Sequence, residues 1–285
     1  MNENIFADLH LHTVFSDGSE MPEALTDKAS SKGLKIISFT DHDTLDAYHK
    51  TDIKYLSNKF NINIIPGIEM SADFQRSNGT SEELHILAYY IDTNAKDLNI
   101  YLEEYRKMRY ERAKEILSKL SNMNISITID DLNKEVKKNI YGRLHVANVL
   151  VEKGYANSIY AAFEHFIGKD CPAYVPKKQL NIIELINLIH NSGGIAVIAH
   201  PGNKRNKEEF QILKDRGLDG IEVFHPDHSS KTVKDLLKQA KDLSLLVTGG
   251  SDYHGHSKKK VFLGDVKLHL SYFLLLKEAA SAYIH

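Results

Sequence analysis

Short apolar runs recur along this chain, each ending in polar or histidine-rich residues, with amphipathic stretches between them. The runs at 5–10, 34–39 (LKIISF) and 62–68 (INIIPGI) read as buried parallel strands. Pro66 should stop the third of these or place it at an end. Residues 21–32, with Pro22 in the first turn, and 43–60 carry helical character. Ser77-Asn78-Gly79 suits a hairpin turn leading into a strand at 84–91. From Lys96 the texture changes. Residues 96–121 predict one long, highly charged amphipathic helix with Leu98, Leu102, Tyr105, Met108 and Leu117 along it, and shorter helices follow at 130–138, 143–153 and 158–166. Alternation then resumes, with strands at 195–199 (IAVIA), 218–224 and 243–248 separated by helices near 205–216 and 229–242. A strand at 264–268 and a helix from Tyr272 close the chain. The pattern predicts an α/β barrel-like domain built from 1–92 and 173–285, interrupted by a helical insertion at 93–172.

Composition narrows the function classes. At 285 residues, 42% hydrophobic and 26% charged, the chain has the make-up of an ordinary globular protein, which excludes a disordered tail, a collagen-like chain and a small disulfide scaffold. No apolar run approaches the roughly 18 residues that span a bilayer, and the first residues resemble no export signal. Cys171 is the only cysteine, so no disulfide forms within the chain, and a cytoplasmic, reducing location is expected. A net charge of −2 gives no bulk argument for duplex binding. The 15 histidines, beside many aspartates, turn attention to metal binding.

Those histidines and carboxylates gather where the strands end, the place an α/β barrel puts its chemistry. Asp8-Leu9-His10-Leu11-His12 ends the first strand, with Asp17 shortly after; His10 and His12, two apart in a strand, share a face and can hold one ion. Thr40-Asp41-His42-Asp43 ends the second. Glu69 follows INIIPGI, and His85 lies on the next strand. His200 ends IAVIA, and Asp252 and His254 lie in Ser251-Asp252-Tyr253-His254 after the 243–248 strand. One histidine at a strand end is usually a hydrogen-bonded structural residue, but five such clusters on separate strands are hard to explain as structure. Imidazole and carboxylate without thiolate suit divalent transition metals, which activate water and neutralise phosphoryl charge. Glu222, His225 and His228 stand at a further strand end, where His225 can meet substrate or solvent. The charged helix reads as a solvated face rather than a nucleic-acid groove, and Lys258-Lys259-Lys260 as a solvated loop.

In this order, HxH, TDHD, a strand-end Glu, AHP and GSDYH resemble the PHP (polymerase and histidinol phosphatase) superfamily. The resemblance implies a distorted (β/α)7 barrel holding two or three divalent ions, manganese favoured over zinc, iron(II) or magnesium. It implies one ion on His10, His12, Glu69 and Asp252, a second bridged by Glu69 to His85 and His200, and a third on Asp17, His42 and His254. Asp8 and Asp41 would orient ligands rather than bind metal. The insertion, with its Gly142-Arg143-Leu144-His145 segment, is similar to the branch of 3′,5′-nucleoside bisphosphate phosphatases and RNA-trimming relatives. That similarity makes the insertion a cap over the metal site, with Arg143 forking a phosphate, His145 supporting it and Asp43 touching the substrate sugar or base. The nucleophile would be a metal-activated hydroxide, so no side chain serves as catalytic nucleophile. The expected activity is removal of the 3′-phosphate from nucleoside 3′,5′-bisphosphates, or 5′→3′ trimming of short single-stranded RNA bearing a 5′-phosphate. Histidinol-phosphate hydrolysis, amidohydrolase chemistry and a non-catalytic nucleotide-sensing role are the alternatives. Neither a membrane nor an obligate protein partner is expected.

Overall fold

In the computed structural model, which describes residues 6–76, 79–135, 141–257 and 261–282, eight strands form one mixed sheet that curls into a nearly closed barrel. They are β1 (Phe6–Leu11), β2 (Ile36–Phe39), β3 (Asn63–Gln75), β4 (Ser81–Tyr89), β5 (Ile195–Ile198), β6 (Gly220–Phe224), β7 (Leu246–Gly249) and the two-residue β8 (Leu268–His269). The sheet order is β7-β6-β5-β4-β3-β2-β1-β8. β1, β2 and β3 run parallel, as do β5, β6 and β7, whereas β4 is antiparallel to both its neighbours. The seam between β7 and β1 closes through a parallel bridge from Leu11 to Tyr253 and the His12 N–H donating to the Tyr253 carbonyl. Gly250 makes that seam: a Cβ there would lie 2.4 Å from the His10 Cβ, so only glycine lets the backbones approach this closely.

Around the barrel are α1 (Pro22–Ser31), α2 (Asp46–His49), α3 (Ile53–Phe60), α8 (Ile182–Asn191), α9 (Lys207–Asp215), α10 (Ser230–Asp242) and α11 (Leu270–Ala280). The intervening helices are α4 (Lys96–Ser121), α5 (Ile129–Glu135), α6 (Arg143–Glu152) and α7 (Ile159–Ala162), the last continued by a π-helical turn. One apolar cluster packs Leu11, Ile37, Phe39 and Ile64 against Leu25 of α1 and Leu56 of α3. A second runs through Ala7, Leu9, Leu87, Tyr89 and Val197 to Phe273 and Leu276 of α11. No helix among the described residues is long and apolar enough to cross a membrane.

Two compact units divide the chain: Met1–Asn99 with Leu180–His285, and Ile100–Gln179. The 173–179 segment belongs to the helical unit because Ala173 and Val175 are buried in its core with Leu120, Leu132 and Leu150. Arg112 and Lys119 hold the same segment by donating to the Val175 and Tyr174 carbonyls.

Two expectations are corrected. Pro66 does not stop β3, which runs through it to Gln75. The proline sits where the β2 ladder ends (Phe39 opposite Pro66) and the β4 ladder begins (Gly67 opposite Tyr89), so its missing N–H falls between the two pairings. The single helix expected at 43–60 is two, because the Asp52 carboxylate accepts from the Tyr55 N–H and starts α3 afresh. Helix α8, not among the expected elements, starts at a capping box of Asn181 and Glu184, a signal readable from sequence. The 77–78 part of the expected turn, the 136–138 end of the expected helix and Lys258-Lys259-Lys260 lie outside the described residues.

The Tyr48 hydroxyl fills a gap beside Pro66. It accepts from the Phe39 and Gly67 N–H groups, each at 3.0 Å, and sits within donating distance of the Phe39 and Ile65 carbonyls. Tyr48→Phe leaves two backbone donors without that partner and is expected to cost about 2–3 kcal/mol, roughly 5 °C in Tm by calorimetry. An unchanged Tm would show that the ladder closes without the hydroxyl.

Candidate metal centre

Side-chain alternation on β1 sends Ala7, Leu9 and Leu11 into the apolar clusters, leaving Asp8, His10 and His12 on the other face. On the β3–β4 ladder Glu69 opposes Leu87 and Ser71 opposes His85, so Glu69 and His85 are diagonal neighbours on one face. Glu69 thus stands within β3, not at a strand end as expected. Irregularities in the β1–β2 and β6–β7 ladders lie between Asp8 and Leu11 and between Glu222 and Phe224, beside the histidines they help aim. His42, Asp43, His200 and Asp252 follow β2, β5 and β7, and the last three have positive φ of 53°, 29° and 51°.

All nine residues expected to bind metal converge. The Nε2 atoms of His10 and His12 are 3.1 Å apart; each lies 3.2 Å from Glu69 Oε2, and they lie 3.4 and 3.2 Å from Asp252 Oδ1. Ligands about 2.1 Å from a common ion are separated by about 3.0–3.4 Å along polyhedron edges, so this donor set fits a divalent cation. The other oxygen, Glu69 Oε1, is 2.8 Å from His85 Nδ1 and 3.1 Å from His200 Nε2. A third group joins Asp17 to His254 Nε2 at 3.2 Å and His42 Nε2 at 3.8 Å, with His12 Nδ1 3.6 Å from the same carboxylate. His12 and His42 therefore touch two groups each, because His42 Nδ1 is also 3.2 Å from Glu69 Oε2. His12, Asp17, His42 and His254 together meet the spacing of a metal site, as do His10, His12, Glu69 and Asp252, and His42, Glu69 and His85.

Buried carboxylates hold the cluster in place. Glu222, fully buried, accepts from or faces His10 Nδ1 at 2.9 Å and accepts from the His200 N–H at 2.7 Å. Asp8 accepts from the Ser251 N–H, and Asp41 accepts from the Thr13 N–H, the Thr13 hydroxyl and the Ser16 hydroxyl. Such partners fix the tautomer and direction of a ligating imidazole. The part played by Glu222 was not foreseen, since 212 residues separate it from His10.

The electrostatics reflect crowded opposite charges. Burial would strip the proton from His10, but Glu222, Glu69 and Asp252 outweigh it and hold its pKa well above the ordinary value. Burial likewise opposes protonated His12 and His85; hydrogen bonding to Asp252 and Glu69 lifts the first to about 9, and Glu69 lifts the second to about 10. His42 goes the other way, to about 4, because burial dominates the pull of Glu69 and Asp17. Burial raises Glu69, yet His42, His10 and His85 bring it well below the usual carboxylate range.

A cavity of about 610 Å³ opens beside the cluster, lined by His42, Glu69, His85, His200 and Asp252 on one side and by Lys204, Ser229 and Thr232 on another. His225 lines it as well, its Nε2 lying 3.5 Å from Asp252 Oδ2. Asp43 is buried, and its carboxylate accepts from the Ser71 N–H at 3.4 Å. In the helical unit, the Arg143 guanidinium lies over the Phe163 and Tyr174 rings, while His145 Nδ1 accepts from the Gly142 N–H at the start of α6.

With barrel and donor sets in view, the class follows: residues 8–200 match the PHP domain family, and the chain belongs to it. It is a metal-dependent phosphoesterase with a histidine and carboxylate cluster able to bind metal. The chain is 30% identical over 258 residues to the 5′-3′ exoribonuclease Rnm of Escherichia coli (strain K12), covering 89% of this chain and 86% of that one. It is 27% identical over 253 residues to a phosphoribosyl 1,2-cyclic phosphate 1,2-diphosphodiesterase of Eggerthella lenta (87% and 94% covered). It is 28% identical over 253 residues to a 3′,5′-nucleoside bisphosphate phosphatase of Chromobacterium violaceum (87% and 86% covered). Among solved structures, a Bifidobacterium adolescentis protein assigned as a metal-dependent phosphoesterase superposes with a TM-score of 0.78 at 31% identity, covering 95% of this chain and 94% of that one.

Proposed function

We propose that this chain removes the 3′-phosphate from nucleoside 3′,5′-bisphosphates to leave 5′-nucleotides, and trims 5′-phosphorylated RNA from its 5′ end. The observation that carries the reading is the cavity of about 610 Å³ beside Glu69. Its size falls in the range of sites that take a nucleotide-sized ligand, and donor atoms wall one side of it. The names of the relatives support both activities.

In this reading His10, His12, Glu69 and Asp252 hold one ion, Glu69, His85 and His200 a second, and Asp17, His42 and His254 a third. Hard oxygen donors beside imidazole favour manganese. When bound, the ions supply an activated water and neutralise charge on the phosphoryl oxygens. The chain's own part is positioning. Glu222 keeps the His10 ring turned with Nε2 toward the cluster, Asp8 ties the turn after β7 to β1, and Asp41 ties the 13–16 segment to the end of β2. His225 meets the substrate from the cavity wall, and Asp43 sits beside its sugar or base. Arg143 and His145 of the helical insertion, acting as a cap, bind a substrate phosphate.

Glu222→Gln removes the charge behind His10 and is expected to weaken metal affinity about tenfold to a hundredfold, read by competition with a chelator. Equal affinity in the variant would reduce Glu222 to a packing residue.

The test is phosphate release from adenosine 3′,5′-bisphosphate by manganese-loaded protein, with adenosine 5′-monophosphate, histidinol phosphate and a 5′-phosphorylated RNA oligomer alongside. Release from the bisphosphate and mononucleotides from the oligomer, both lost with chelator, are expected. Silence on every nucleotide with metal confirmed present would overturn the reading.

A further inference from the structure

Charge is unevenly spread along this chain. Residues 100–179 carry 14 lysines and arginines against 10 acidic residues, a net +4 within a chain of net −2. Part of that excess lines a groove of about 590 Å³ between α4 and the 175–178 segment, within the helical unit. Its walls present Lys107, Arg109, Arg112, Lys114, Lys177 and Lys178, with Glu111 and Glu115 the only acidic residues there.

The glutamates do not neutralise the groove. Glu111 pairs with Lys114 at 3.0 Å, and Lys107 pairs with Glu103 at 2.8 Å, in exposed contacts of the kind worth little in water and readily exchanged for another anion. Arg112 is different. Its Nε donates to the Val175 carbonyl, and burial, together with the positive charges of Arg143 and Arg109, pushes its pKa below the ordinary value. A half-buried guanidinium beside other arginines, in a groove whose lining holds more cations than carboxylates, is arranged for an anion from outside the chain.

We propose that this groove binds the phosphodiester backbone of single-stranded RNA, independently of its sequence. Lys107 and Lys114, seven residues apart on α4, are separated by about 10 Å along the helix axis, enough to face more than one phosphate of a strand. Tyr105, the ring flanked by Arg109 and Lys177 at 5.8 Å each, is buried, so it steadies those cations and offers no face to a base. With no aromatic residue in its lining, the groove meets the backbone and leaves the bases unread. The inference deepens the RNA arm of the proposed function and rests on it for the choice of polyanion.

The experiment is fluorescence anisotropy of metal-loaded protein with a 3′-labelled, 5′-hydroxyl oligouridylate, which lacks the terminal phosphate, titrated at several salt concentrations. The triple variant Lys107→Glu/Lys114→Glu/Lys178→Glu is compared with Lys54→Glu/Lys234→Glu/Lys238→Glu, an equal charge change at exposed barrel positions. The groove variant is expected to bind at least about tenfold more weakly, with a salt slope shallower by about 2, as losing three phosphate contacts requires. The barrel variant should bind nearly as the wild type does. Equal binding by the groove variant, or an equal loss in the barrel variant, would overturn the proposal. Tm values of both variants guard against misfolding. Since binding is read without turnover, wild-type protein that binds the oligomer through the groove but trims no RNA would fail the activity reading alone.

Discussion

Replacing Glu69 by glutamine is expected to lower kcat/KM on phosphoester substrates by about a thousandfold or more, equivalent to about 4 kcal/mol of transition-state stabilisation. The Glu69 carboxylate faces two sides of the cluster: one oxygen lies among His10, His12 and His42, the other between His85 and His200. Glutamine keeps the shape but halves the acceptors and removes the charge. Metal analysis of the purified variant should show substoichiometric ion where the wild type is full. Tm in chelator separates a lost site from a lost fold, since removing a buried charge that offsets several histidines disturbs stability too. Full activity in Glu69→Gln would dissolve the proposed bridge between the first and second ions.

The second large effect is a reversal of pH dependence when metal is removed. The folded pKa values of about 9 for His12 and about 10 for His85 lie above that of an unfolded histidine, near 6.5. Folding therefore favours their protonated forms. The stability this gives the metal-free protein is complete below about pH 6.5 and is lost as pH rises through 9 to 10. A metal ion must displace the proton of the histidine it binds, so apparent affinity for each ion rises with pH, by up to about tenfold per unit for each proton released. Melting in chelator is expected to fall between pH 7 and 10, while the gain in Tm on adding manganese grows over that range. Parallel curves with and without metal would mean these histidines neither hold protons nor bind metal. Below neutral pH the carboxylates act in the opposite sense. Glu69 has a depressed pKa, so its contribution stands above the ordinary glutamate range and disappears as acid protonates it.

Much of the donor set could be read from the chain because strand parity is local: His10 and His12 share a face whatever the rest of the fold does. Strand-end position exposed His42, His200 and Asp252 in the same way. What stayed hidden was long-range. Glu222 reaches His10 across 212 residues, and the pairing of Asp8 with the Ser251 N–H spans 243. No local pattern encodes either contact. The continuation of β3 past Pro66 depended on which neighbour each half of the strand would pair with, information held in β2 and β4 rather than in the proline. The α8 capping box, Asn181 with Glu184, is local and legible in the chain. In the helical unit the charge pattern of α4 was visible, but the 175–178 segment that turns one of its faces into a groove was not.

The left-handed backbone at Asp43, His200 and Asp252 carries a consequence for any attempt to make this protein hardier. Holding a non-glycine residue there opposes folding by of order 1–3 kcal/mol each, and asparagine or glycine would relax the strain at 43 and 252. Selecting variants for heat resistance alone would therefore enrich changes at positions that aim the cluster, giving sturdier proteins with poorer turnover. Stabilising substitutions belong elsewhere, on helix surfaces such as the outward face of α10, where robustness and activity are not in competition.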